Sequence, residues 1–415
     1  MFENFFNGTS RVRGLRDNVC GPFLERFTEE LFYAGYAKIT ARKHIRAAEH
    51  LIYWLGCEGL PISGLTEQLL GRFDLHLKGC QCRRYGRTNR LNLLHGAHLF
   101  LKCLQNAGAL NTAVGRPMPQ DPILLTAFCE WMRRHRGVSD LTLYNYSLSI
   151  RDLLNRFKGT PDNLDAKSLR QFILGKSQQC GWAAAKTCTT ALRMFLRFLI
   201  AEGKCSADLY AAIPVLAHWR LSSLPQYLQE EEIERIISSC DLNSSVGQRD
   251  RAILLFLARL GLRAGDIVHL RLSDIDWENA VIRVSGKGRR DVGLPLSQEV
   301  GGALVAYLLD GRPQTNSDEL FLRSRAPFHA FASHSTVSVI VAQAMRRAGV
   351  TRQTRGAAHV LRHSMATSML RQGASLQNIA DILRHRSIET TQIYAKVDVN
   401  ALRLIAQPWP EVQPC

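Results

Sequence analysis

Apolar residues recur at three- and four-residue steps through most of the chain, and that period predicts a largely helical protein. The run from Pro22 through Phe27 to Leu31 and Phe32 forms one such face. A second helix follows Thr40, with Ile45, Leu51, Ile52 and Leu55 on one side. The stretch from Val114 to Pro122 then places prolines at 117, 119 and 122, which ends the first block in a linker. Helical periodicity resumes from Ile123 to about Lys204. Thr40 to Leu51 and Thr142 to Leu153 share one spacing, and Leu65 to Phe73 and Leu164 to Phe172 share another. Two copies of one module, or two unrelated sets of similar amphipathic helices, give the same pattern.

A second linker, about Ala211 to Pro225, leads into a block of mixed period. Glu230 to Ile237 is an amphipathic helix with acidic residues in its first turn, where the helix dipole favours them. Asp250 to Leu260 is a buried helix stopped by Gly261, a residue suited to the left-handed C′ position. The alternation in Ala280-Val-Ile-Arg-Val-Ser and Asp291-Val-Gly-Leu-Pro-Leu predicts a β-hairpin around the basic turn Gly286-Lys-Gly-Arg-Arg. From Thr336 onward the period is helical again. The fold class expected is multidomain: an α+β C-terminal domain preceded by all-α modules. The expected boundaries are 1–112, 123–205, 227–400 and a tail at 401–415.

The balance of charge narrows the partner. With 53 Lys and Arg against 36 Asp and Glu, the chain carries a formal charge of +17, which favours a polyanion whose counterions can be released. An anionic membrane is the competitor, but no stretch reaches about 18 continuous apolar residues, and the start MFENFFNGTSRVRG lacks a secretory pattern. A cytoplasmic, nucleic-acid-facing protein is expected. Eleven irregularly spaced cysteines fit reduced thiols. His76-x3-Cys80-x-Cys82, with Cys57, His95 and Cys103 near it in sequence, matches no zinc template, so no metal is assigned.

Chemistry concentrates in the last third. Arg263 follows Gly261 at a helix corner, which fixes a guanidinium for bidentate contact with phosphate. Lys287 sits between two glycines at the hairpin tip. His359 and Arg362, at i and i+3, share one helix face, whereas the adjacent His363 is expected to point elsewhere. His385 lies in a turn, and Tyr394 lies on the helix expected after Ser387. A half-buried tyrosine with a paired hydroxyl is the ordinary reading of such a residue. In combination, these cations and one phenol suit attack on a phosphodiester.

The strings GLRAGDIVHLRLSDIDW, SGKGRRDVGLPL and Ala357 to Val397 resemble the catalytic domain of the tyrosine recombinase (phage integrase) family, over about Tyr227 to Asn400. The Ile123–Lys204 block is similar, more loosely, to that family's core-binding domain, and the N-terminal helical domain is additional. The resemblance implies catalytic roles for Arg263, Lys287, His359, Arg362, His385 and Tyr394. Tyr394 would be the nucleophile, forming a 3′-phosphotyrosyl intermediate, with Lys287 the proton donor to the leaving 5′-oxygen and His359 the base. It implies no cofactor, double-stranded DNA as partner, a tetramer on two duplexes, and an integrase or transposase of a mobile element; partner recombinases stay open. Two departures stand out: Arg384 replaces the family's usual glycine before His385, and Asp266 its usual glutamate. A type IB-like topoisomerase and a non-cleaving DNA-binding accessory subunit are the competing readings.

Overall fold

The computed structural model describes residues 1–415 except 83–84, 86–88, 111–121, 158–163, 216–223, 286–290, 352–355, 386, 398–401, 404–405 and 407–415. The chain divides into two compact units, residues 112–220 and the remainder.

The larger unit begins with α1 (Thr9–Arg16), α2 (Gly21–Tyr33), α3 (Lys38–Cys57), α4 (Glu67–Lys78) and α5 (Arg90–Asn106). Leu24, Phe27, Ile45, Leu51, Phe73, Phe100 and Leu104 fill their core. Each such fully buried side chain contributes about 1.5–3 kcal/mol. Helices α3 and α5 approach closely at Gly96, where a Cβ would lie 2.7 Å from the Cβ of Ala47. This block and the last one belong to one unit, with Phe328 packed against the backbone of Gly35.

The smaller unit contains α6 (Ile123–Arg136), α7 (Asp140–Arg156), α8 (Ala166–Ala201, broken at Gly181) and the short α9 (Asp208–Ala211). Phe128, Ile150, Leu153, Phe172, Leu192, Phe195 and Leu199 form its core. If α8 is counted as two helices, α6 to α8 repeat the long-helix order of α2 to α5. Thr40 to Leu51 lies in α3 and Thr142 to Leu153 in α7, while Leu65 and Leu164 stand two residues ahead of α4 and α8, which carry Phe73 and Phe172.

The last block opens with α10 (Glu230–Ser238) and α11 (Ser245–Ala258). Helix α11 is apolar nearly all round, from Ala252 to Ala258, and is correspondingly buried at the centre. Around it stand α12 (Ala264–His269), α13 (Gln298–Ala306), α14 (His334–Arg347) and α15 (Ala357–Arg371), with α16 (Leu376–Ile382) beyond α15. Side-chain caps at Ser244, Ser297, Ser333 and Ser375 start four of these helices.

The hairpin pairs β2 (Val281–Ser285) with β3 (Asp291–Pro295), with Ser285 opposite Asp291. A short β1 (Ile275–Asp276), not signalled by any alternation, adds an antiparallel edge on β2. Ile282 and Val284 turn inward while Arg283 and Ser285 face out, the period-two pattern of a half-buried strand. No helix among the described residues is long and apolar enough to cross a membrane.

The helix expected to carry Tyr394 is present and short. It is a 3-10 helix, Gln392–Val397, rather than an α-helix. Thr391, just before it, is fully buried, and its hydroxyl is engaged by His385 Nδ1 at 2.7 Å. A second 3-10 turn, Ile388–Thr390, comes just before it.

Candidate active site

Gly261 takes φ 59°, and a Cβ there would meet Met365 Sδ at 2.6 Å. A residue without a side chain is therefore needed at this corner, which turns the chain from α11 into α12. The turn delivers Arg263 to the N-cap of α12, where its backbone N–H donates to Asp266 Oδ2 at 2.9 Å. The Arg263 guanidinium donates from Nη2 to the carbonyls of Leu383, at 3.2 Å, and Arg384, at 2.8 Å.

Arg362 reaches the same place from α15. It is only 4% exposed, and it donates from Nη1 to the carbonyl of Gly261 and from Nη2 to that of Leu383. The two guanidiniums thus share one acceptor. Burial, then the charge of Arg263, pulls the Arg362 pKa down. Two cations held this close, in a partly water-excluded pocket, make a strongly favourable location for an anion.

His385 stands in the turn after α16. Its pKa is lowered to about 4 by burial, then by Arg362 and Arg263, so it is neutral near pH 7. His359, at the start of α15, remains exposed, with its ring centroid 6.4 Å from that of His363. Lys287 lies outside the described residues, between the ends of β2 and β3.

Tyr394 is 1% exposed, and burial raises its phenol to about 12, although Arg362 pulls the other way. The partner of its hydroxyl is His363: Nδ1 and the phenol oxygen are 2.7 Å apart. Burial, then His359 and Arg362, lowers the His363 imidazole to about 4. It is neutral at pH 7, so one ring nitrogen is free to accept; in the tautomer protonated on Nε2, Nδ1 accepts and the phenol donates. Sequence reasoning set His363 aside because it adjoins Arg362. The missed signal was its i+4 spacing from His359, which returns it to the same side of α15.

The two departures noted in the sequence touch each other. Arg384 adopts φ 54°, the left-handed region that a glycine occupies without strain. Its guanidinium forms an ion pair with Asp266, and both side chains are largely buried. An arginine in a glycine position is thus held by the carboxylate that also caps Arg263.

This arrangement can seat an oxyanion between two arginines and take a proton from a buried phenol beside it, as nucleophilic attack on phosphorus requires. Comparison with known proteins points the same way. The model of the phage integrase family matches residues 226–401. A protein described as an integrase/recombinase, y4rA of Sinorhizobium fredii, is 37% identical over 393 residues, covering 92% of this chain and 93% of its own. Tyrosine recombinase XerC of Oceanobacillus iheyensis is 30% identical over 299 residues, covering 69% of this chain and 95% of its own. In fold, the chain is similar to XerH bound to palindromic difH substrate in a post-cleavage complex. That TM-score is 0.56 at 20% identity, over 82% of this chain and 95% of the other. It is also similar to a lambda integrase tetramer bound to a Holliday junction, at TM-score 0.52 and 18% identity, over 79% and 91%. The chain belongs to the phage integrase family of tyrosine recombinases, enzymes that cut and rejoin DNA strands.

Proposed function

We propose that this recombinase acts on duplex DNA as the integrase or transposase of a mobile element, through a 3′-phosphotyrosyl intermediate. The observation that carries this reading is the shared grip of Arg263 and Arg362 on the Leu383 carbonyl, with Tyr394 paired to His363, which lies one residue beyond Arg362 on α15. A scissile phosphate would take up the cationic forks through its non-bridging oxygens. As Tyr394 Oη bonds to phosphorus, its proton passes to His363 Nδ1 and the bond from phosphorus to the 5′-oxygen breaks. Lys287 protonates that oxygen. His385 helps hold the phosphate, and His359 adds polarity at the exposed rim. The base role expected of His359 passes to His363, which is the group bonded to the phenol. A 5′-hydroxyl from a second duplex reverses the step, so no nucleotide energy source is consumed.

Residues 227–400 form the catalytic domain in this reading. Residues 123–205 serve as a core-binding domain on the DNA, and 1–112 as a further DNA- or partner-binding module. The net charge of +17 supports a duplex partner. XerH and lambda integrase were both solved on DNA, the latter as a tetramer, and a tetramer on two paired sites is carried over here. The test is strand exchange: two labelled duplexes bearing the ends of the host element are incubated with the chain, without metal or nucleotide. Recombinant products support the reading. Relaxation of supercoils without exchange would support a topoisomerase instead, and binding without either would support an accessory subunit.

A further inference from the structure

Away from the active site, the first block gathers four metal-ligating side chains: His50 from α3, His76 from the last turn of α4, and Cys80 and Cys82 from the connection that follows. One ligand atom from each lies within 4.8 Å of all the others. Cys80 Sγ is 3.4 Å from His50 Nε2, and Cys82 Sγ is 3.6 Å from His76 Nε2. A tetrahedral zinc ion, with bonds of about 2.3 Å to sulfur and about 2.0 Å to nitrogen, sets such S and N donors about 3.5 Å apart. Two sulfur–nitrogen pairs are therefore at the edge length of a zinc tetrahedron, and the other pairs lie within 4.8 Å.

We propose that His50, His76, Cys80 and Cys82 bind a structural Zn(II) ion that fastens the start of the α4–α5 connection to α3.

The surroundings fit that role. His50 is 1% exposed and stacks on the Tyr85 ring at 4.6 Å, while Phe73 stands edge-on to it at 5.3 Å. His76 lies against Phe73 and Trp54. An apolar wall of this kind shields a metal from water. The backbone N–H of Cys82 points at Cys80 Sγ, 3.4 Å away, an arrangement that stabilises a thiolate. Two soft and two borderline donors in a closed four-ligand set select zinc over the oxygen-seeking divalent ions. Cys57 is exposed, Cys103 is buried in the helical core, and His95 stands beside His44, so the other residues of the sequence cluster take no part. The spacing resembled no template because one ligand comes from an earlier helix.

Zinc is measured by mass spectrometry on the full chain, purified under reducing conditions without chelator. About one equivalent per chain is expected, falling below about a fifth in Cys80→Ser and Cys82→Ser and unchanged in Cys57→Ser. Because a cysteine variant can fail by misfolding, wild-type protein is also stripped and titrated with Co(II). Tetrahedral d–d bands with a thiolate charge-transfer band are expected, and added Zn(II) should displace them. Wild-type chain that is folded by circular dichroism, yet carries less than about a tenth of an equivalent and gives no cobalt spectrum, would overturn the proposal. So would zinc that persists when Cys80 and Cys82 are both replaced.

Discussion

Arg263 and Arg362 donate to one and the same carbonyl oxygen, that of Leu383, the first from the start of α12 and the second from within α15. That shared acceptor holds both forks in register before DNA arrives, so little rearrangement is needed to stabilise a pentacoordinate phosphorus. Replacing Arg362 by Lys keeps a charge but removes the fork that spans the Gly261 and Leu383 carbonyls. Single-turnover cleavage should fall about 100-fold or more, while DNA affinity in a gel-shift titration changes by no more than a few-fold. A variant that cleaves normally would show that the fork geometry is not used.

The pairing of His363 with Tyr394 predicts a pH signature. The imidazole is held neutral, at about 4, while the phenol is raised to about 12. Wild-type cleavage should therefore vary little between pH 6 and 8 on account of this pair. In His363→Ala the phenol must ionise on its own. Cleavage should drop by about 10²–10⁴ at pH 7 and then climb close to tenfold per pH unit. His359→Ala should cost less, and the reverse ranking would restore His359 as the base.

Acid should loosen the catalytic domain. Burial lowers both His363 and His385 to about 4 in the folded chain, against about 6.5 when unfolded. Between those values the unfolded state binds more protons, so stability rises with pH and is lost as pH falls from about 6.5 towards 4. Each group contributes at most about 1.4 kcal/mol per pH unit across that window. Thermal melts should show Tm falling from pH 7 to pH 5, less steeply in the His363→Gln, His385→Gln double variant.

Arg384 tests whether one departure compensates another. Arg384→Gly relieves a left-handed residue, worth about 1 kcal/mol, but strips a mostly buried Asp266 of its ion pair, a loss of about 3–5 kcal/mol. The second effect is larger, so the glycine variant should melt lower. Adding Asp266→Asn should recover much of the difference. A glycine variant more stable than wild type would mean that the pair contributes little.

Lys287 is assigned to the leaving oxygen from sequence alone. If that role holds, Lys287→Ala should be slow on ordinary DNA. It should regain most of its rate on a substrate with sulfur at the bridging 5′ position, because a thiolate leaves without a proton. An equal defect on both substrates would place the lysine elsewhere.

Much of the catalytic block was legible because its signals are local. The Gly261 stop, the alternation on either side of 286–290 and the acidic first turn at Glu230 each act within a few residues. The less legible features depend on contacts between distant segments. His363 becomes a partner of Tyr394 only once α15 packs on the 3-10 segment, and Thr391 and His385 likewise meet only in the fold. The pairing of Arg384 with Asp266 joins two positions that sequence could only mark as separate oddities. His50 likewise joins the cysteines only through the packing of α3 beside α4. Strand β1 is two residues long, too short to show a period.

The central claim is that the Tyr394 oxygen becomes esterified to a DNA 3′ end. The most direct measurement uses a nicked suicide duplex whose short 5′-hydroxyl fragment diffuses away after cleavage, with the adduct digested and its peptide mapped by mass spectrometry. A phosphonucleotide on Tyr394, absent in Tyr394→Phe, is the result expected. An adduct on another residue, or strand exchange undiminished in Tyr394→Phe, would contradict it.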